Sequence, residues 1–163
     1  MKELLLIRHA KSSWANIGQP DFERPLNERG IKDAPEMARR LIAREISIAS
    51  FIASTAKRAF STATYFAEAY NKKATDINKK QELYHAPSIT YYEVLETVKA
   101  TINTVAIFAH NPGITDFVNS LGTTHIDNMP TCGVFAIKLH TTDWSKIRTC
   151  KKEFWFFDYP KLG

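Results

Sequence analysis

Apolar runs and amphipathic stretches alternate along this chain, and the alternation predicts its elements. "ELLLIR" (Glu3–Arg8), "SFIAST" (Ser50–Thr55) and "TVAIFAH" (Thr104–His110) are short and almost continuously apolar, the pattern of strands buried on both faces. After the first run, Ile31, Ala34, Met37, Ala38, Leu41 and Ile42 recur at helical spacing. Pro35 falls inside that pattern, so either the helix kinks there or it starts at Asp33 with Glu36 completing a capping box. Ala59, Phe60, Ala63, Phe66, Ala67 and Tyr70 give the next helix its apolar face, with Ser54 or Thr55 as its cap. "ATDINKKQELY" holds a short, weak strand, and "SITYYEVLETVKAT" a helix capped by Ser88. "NPGITDFVNSLG" starts a helix with Pro112 in its first turn and stops it at Gly122. "GVFAIKL" and "CKKEFWFFDY" close the chain as two strands, Pro160 suiting a sheet edge. The aromatic run Phe154–Phe157 is expected in the sheet core. Strands alternating with helices predict a three-layer α/β fold.

Composition narrows the class. A chain of 163 residues fits one domain, residues 1–163. It can bury roughly 70% of its unfolded surface, so it needs no disulfide or metal to hold it together. Cys132 and Cys150 form no C-x-x-C pair and point to a reducing compartment. Leu4–Ile7 is too short for a signal peptide or a membrane span, and the expected location is the cytoplasm. The net charge of +5 is spread over small clusters such as "NKK" at 71–73 and 78–80. That dispersal favours solubility or an anionic substrate over nucleic acid, and no strand face interleaves basic with aromatic residues.

Three strand ends carry the candidate chemistry. The first delivers Arg8 and His9, the second leads into Lys57 and Arg58, and the "TVAIFAH" strand ends in His110, followed by Asn111-Pro112-Gly113 and a helix start. Open α/β sheets bind ligands beyond the carboxyl ends of their strands, and helix N-termini there favour anions. Two histidines and two arginines can therefore converge on one anion pocket, with phosphate as its natural occupant. Arg58 in a helix's first turn sits where the helix dipole disfavours a cation, which hints at a shared anion. A neutral His9 can take up a phosphoryl group if its other ring nitrogen donates to a fixed acceptor such as a backbone carbonyl. His85, His125 and His140 lack such a setting, and His125 and His140 are read as loop or surface residues.

"LIRHAKSSW", "STAKRAFSTA" and "FAHNPG" resemble the histidine phosphatase superfamily. "RHAKSSW", "DFERPLNERG", "ELYHA" and "HNPGITDFV", in that order and over nearly the whole chain, resemble its SixA-type phosphohistidine phosphatase branch. The resemblance implies a three-layer α/β/α sandwich around a mixed, mostly parallel sheet of about six strands with one antiparallel. It implies phosphoryl uptake on His9 and release by water, with Arg8, Arg58 and His110 binding the phosphate oxygens, and neither metal nor organic cofactor. Lys11, Ser12 and Ser13 are candidates for the phosphate rim, and Asp21 and Arg24 match the family's loop motif, pairing with each other or with the pocket.

The sequence also departs from the larger branches. Asn111 follows the second histidine where acid-phosphatase-like members carry aspartate, so that leaving-group acid is missing; Asn111 is kept as a substrate-binding candidate. Glu82 in "QELYHA" is the nearest candidate general acid, and a strand-end glutamate that orients a loop is the competing role. A phosphoramidate releases imidazole, a better leaving group than an alkoxide, so a missing acid fits phosphohistidine. The absence of large insertions predicts an open site, suited to a phosphorylated protein such as a histidine phosphotransfer domain, with phosphate or sulfate also able to occupy it. Two alternatives stand beside this reading: a small-molecule phosphomonoesterase, and a phosphate-dependent binding module without turnover.

Overall fold

In the computed structural model, which describes residues 1–163, six strands form one sheet in the order β3-β2-β4-β1-β5-β6. The strands are β1 (Lys2–Arg8), β2 (Ser50–Ala53), β3 (Ile77–Lys79), β4 (Thr104–Ala109), β5 (Val134–His140) and β6 (Lys151–Asp158). β5 runs antiparallel to β1 and to β6, and the other neighbours pair in parallel, so β5 alone is reversed. The helices are α1 (Glu28–Ala43), α2 (Lys57–Ala69), α3 (Ser88–Glu96) and α4 (Gly113–Ser120). None is long and apolar enough to cross a membrane.

Side-chain alternation along the central strands builds two cores. Leu4 and Leu6 of β1, with Val105 and Ile107 of β4, pack towards α3 and α4; Leu5 and Ile7, with Ala106 and Phe108, pack towards α1 and α2. This is the α/β/α sandwich expected from the sequence. α1 and α2 carry the chain outwards through β2 to β3, and α3 and α4 bring it back through β4 and across to β5. The connections therefore leave the adjacent strands β1 and β4 on opposite faces, and their carboxyl ends flank the crevice where open α/β sheets bind ligands.

Several local expectations resolve into specific contacts. α1 starts before Pro35, at Glu28, because Asn27 caps it: its side-chain oxygen accepts the Gly30 amide at 2.9 Å. Pro35 lies inside the helix, and Glu36 pairs with Arg39 and Arg40 instead of capping. A Cβ on Gly30 would meet the Lys11 carbonyl oxygen at 2.2 Å, so the absent side chain lets α1 press against the loop after β1. None of Ser54, Thr55 and Ser88 caps its helix by a side-chain bond; the cap residues are Ala56 and Pro87. α3 ends at Glu96, leaving Val98 and Ile102 beyond it, where they still pack on the core. The Phe154–Phe157 run splits. A bulge opposite Ala136 and Ile137 inserts one residue, so Phe154 and Phe157 both reach Phe135, at 5.4 and 5.9 Å between ring centroids. Phe156 is buried on the opposite face, whereas Phe154 on this edge strand stays partly in water.

Candidate functional site

β1 and β4 set the two histidines. The His9 amide donates to Ala109 O at 3.0 Å, which pins the end of β1 to the end of β4. Cys132, at φ +58°, donates its amide to both Arg8 O and His9 O at 3.1 Å, closing this turn from the β5 side. The His9 Nδ1 lies 2.8 Å from Ala10 O. A carbonyl only accepts, so Nδ1 carries the proton and the lone pair sits on Nε2. This is the carbonyl partner that the chemistry requires. The His110 ring faces His9 with 5.2 Å between centroids, and its Nε2 lies 2.8 Å from the Ser54 hydroxyl. His9 is 6% exposed and His110 5% exposed.

The imidazoles are held neutral. Burial pushes His9 down to about 3; its bond to Ala10 opposes this, and the charges of Arg8, Arg58 and Arg24 add to it. Burial, reinforced by His9, Arg58 and His85 and opposed by Asp21, pushes His110 down to about 2.

Arg58 comes from the first turn of α2, as the sequence placed it. Thr62, one turn on, ties this helix to the loop after β1: its hydroxyl donates to Arg58 O at 2.8 Å and accepts the Ala10 amide at 2.9 Å. The outer end of the Arg58 fork is held by Asp21. Nη1 donates to Asp21 O at 2.7 Å and Nη2 to the Asp21 carboxylate at 3.0 Å. The same carboxylate accepts from Tyr84 OH at 2.6 Å and from Arg24 Nε at 3.1 Å. Arg24 also donates to Ser12 Oγ at 2.7 Å and stacks on Trp14, its guanidinium carbon 3.6 Å from the ring centre. Asp21 and Arg24 thus pair with each other, and Asp21 pairs with the pocket as well. Burial opposes ionisation of Asp21, but Tyr84, Arg58 and Arg24 outweigh it and hold the carboxyl well below its usual range.

Arg8 donates from Nη1 to Met129 O at 2.9 Å. Its Nε, the Arg58 Nε and the His110 Nδ1 are buried and have no hydrogen-bond partner. Buried polar atoms are normally paired, so three unpaired nitrogens around one histidine mark a site built for an anion.

The other candidates divide. The Ser13 hydroxyl accepts from its own loop, at Ala15 N, and Lys11 meets α1 through its carbonyl, which accepts from Asn27. The Asn111 amide donates to Asn128 Oδ1 and Met129 O and accepts from Thr115, so it braces the loop that also holds Arg8. Glu82 is exposed in a separate hollow of about 320 Å3 with Lys80, Thr90 and Glu93, and makes no bond to the histidines or to Arg58. His85 instead lines a cleft of about 340 Å3 with His110, Asn111 and Asp116. A larger hollow of about 500 Å3, between α1 and α2, contains neither histidine nor arginine. The surroundings of His9 are more enclosed than the lack of insertions suggested, because Asp21 and Tyr84 draw the loop after β1 onto Arg58. No local sequence pattern marks Ser54, Thr62 or Tyr84 as site residues. Tyr84 lay within "ELYHA" and Ser54 and Thr62 within "STAKRAFSTA", but only the folded sheet brings them to the histidines. No group of three or more His, Cys, Asp or Glu side chains is disposed to hold a metal ion.

A doubly wound sheet with paired histidines and arginines at its switch point is the setting of a phosphate-handling protein. The family model of the histidine phosphatase superfamily (branch 1) matches residues 4–86, and the chain belongs to that superfamily. In fold it is similar to an Agrobacterium tumefaciens protein described as the phosphohistidine phosphatase SixA, with 24% identity, 98% of each chain covered and a TM-score of 0.81. The protein histidine phosphatase SixA complexed with tungstate is 18% identical, with 98% of this chain and 97% of that one covered and a TM-score of 0.82. The mycobacterial glucosyl-3-phosphoglycerate phosphatase with inorganic phosphate is more distant, at 14% identity, 96% coverage of each chain and a TM-score of 0.67. No curated protein matches the sequence.

Proposed function

We propose that this chain is a phosphatase working through a phosphohistidine intermediate on His9, and that its substrate is phosphohistidine in another protein. The observation that carries this reading is the neutral His9, its Nε2 lone pair free, among three buried nitrogens without partners. Arg8 Nε, Arg58 Nε and His110 Nδ1 hold the phosphoryl oxygens. His9 Nε2 attacks phosphorus as the P–N bond to the substrate imidazole breaks, and the departing nitrogen takes a proton from solvent. Water then cleaves the new P–N bond, releasing inorganic phosphate and restoring His9. The guanidinium charges count most as negative charge shifts in the transition state. The solved relative with tungstate, a tetrahedral oxyanion, supports an oxyanion as occupant.

The choice of phosphohistidine over an ordinary phosphomonoester rests on the leaving group. An alkoxide needs an acid, and Glu82, the candidate acid, faces a different hollow. Release of an imidazole makes less demand on such a group. The same reading takes residues 1–163 as one domain, requires no metal ion, and places the protein in the cytoplasm, where Cys132 and Cys150 stay free thiols.

Rapid quenching in alkali during turnover of a 32P-phosphohistidine protein tests the intermediate. The enzyme should carry label that survives base and is lost in acid, and His9→Ala should carry none. Turnover without label in the wild type, or label retained by His9→Ala, overturns the assignment of His9.

A further inference from the structure

Ser54 lies at the end of β2 and is fully buried. Its hydroxyl oxygen accepts the Ala56 amide at 3.2 Å and lies 2.8 Å from His110 Nε2. These are its only two partners. The Ala56 amide can only donate, so the single hydroxyl proton has one acceptor within reach, His110 Nε2.

The opposite arrangement is worse on the serine side of the pair. If Nε2 carried the proton, the Ser54 hydroxyl would receive two donors and its own proton would be buried without an acceptor. Nδ1 has no partner in the ligand-free chain in either tautomer, so the serine side decides. Leaving buried polar groups unpaired costs more than pairing them returns. The ring has to choose one tautomer, because burial keeps it neutral.

We propose that Ser54 is a positioning residue that donates to His110 Nε2 and so fixes His110 as its Nδ1–H tautomer. The two facing rings then differ in kind. His9 is locked by the Ala10 carbonyl with its lone pair on Nε2, and His110 is locked by Ser54 with a proton on Nδ1. One ring offers a nucleophile, and the other offers an uncharged donor. A neutral donor can hold a phosphoryl oxygen without adding a third positive charge beside Arg8 and Arg58, which would hold the free phosphate product more tightly. The effect on turnover rests on the phosphatase reading above; the tautomer itself does not.

Long-range 1H–15N spectra of 15N-histidine-labelled protein at neutral pH read the tautomer directly. The ligand-free wild type should show His110 with a protonated Nδ1 and a bare Nε2. The reverse pattern overturns the proposal and needs no variant to fold. Ser54→Ala should mix or reverse the tautomers and lower kcat by about tenfold, and Ser54→Thr, which keeps a hydroxyl, should return the wild-type pattern. A Ser54→Ala spectrum with His110 unchanged also overturns it. If the wild type has the predicted tautomer yet hydrolyses no phosphohistidine, the functional reading fails and the Ser54 assignment stands. If it is an active phosphatase with His110 protonated on Nε2, the reverse holds.

Discussion

Replacing Asp21 by asparagine separates holding Arg58 from charging it. The Asp21 carboxylate accepts from Arg58 at 3.0 Å, Arg24 at 3.1 Å and Tyr84 at 2.6 Å. The Arg58 side chain is 6% exposed and that of Arg24 9%, whereas the Asp21 side chain is 42% exposed. A charge-assisted hydrogen bond is worth about 1.5–3 kcal/mol when sheltered. Solvent screening of Asp21 discounts the set to about 2–3 kcal/mol in total. For a chain of this size that corresponds to a fall in Tm of roughly 5–10 °C. The catalytic effect has two parts. Asparagine keeps the backbone acceptor for Arg58 Nη1 but weakens the side-chain one, so the guanidinium is held less firmly and kcat should fall by about tenfold. It also removes a negative charge that competes for Arg58, so inorganic phosphate should bind as tightly as before or more tightly. Thermal unfolding, steady-state kinetics and phosphate inhibition of the same preparation measure all three. An unchanged Tm, or a raised KM with kcat intact, would show that Asp21 neither braces nor orients Arg58.

Acid should destabilise the protein well before its carboxylates titrate. His9 and His110 are held at about 3 and about 2 in the folded chain, and both regain ordinary values when it unfolds. The unfolded state therefore binds more protons once pH falls below about 6.5, and stability declines from there towards pH 3. At pH 5 each histidine contributes about 2 kcal/mol of loss; urea unfolding at pH 7 and pH 5 should reveal it, and equal stabilities would refute the burial argument. Gly113→Ala would put a Cβ 2.1 Å from the Ala86 carbonyl oxygen. Backbone must shift to relieve that overlap, at a cost of about 1–3 kcal/mol or more, and a Tm equal to wild type would show the helix start can slide freely.

The parts of the site that the sequence made legible are those set by one strand or one turn. β1 and β4 announce themselves because a buried parallel strand is continuously apolar, and a histidine ending such a run stands out. Arg58 was placed in a helix's first turn by the apolar spacing that follows it. The remaining contacts cross the topology. Asp21 meets Arg58 across 37 residues, Ser54 meets His110 across 56, and Tyr84 meets Asp21 across 63. Ser54 and His110 meet because β4 lies beside β2, and Asp21 reaches Arg58 and Tyr84 across the sheet's carboxyl edge; no local pattern encodes either. Asn111 illustrates the converse. Its place beside His110 suggested a substrate contact, and its amide is instead committed to Asn128, Met129 and Thr115. Pro35 left two helix starts open because a proline is a local signal, while the Asn27 cap and the close approach of Gly30 to Lys11 decided the matter.

The most direct test of the central claim compares wild type and His9→Ala on a phosphohistidine-bearing protein and on a generic phosphomonoester, with EDTA present throughout. The account predicts phosphate release from the phosphohistidine protein at far higher kcat/KM than from the monoester, undiminished by the chelator and absent in His9→Ala. Preference for the monoester would contradict the substrate assignment, and turnover that survives loss of His9 would contradict the mechanism.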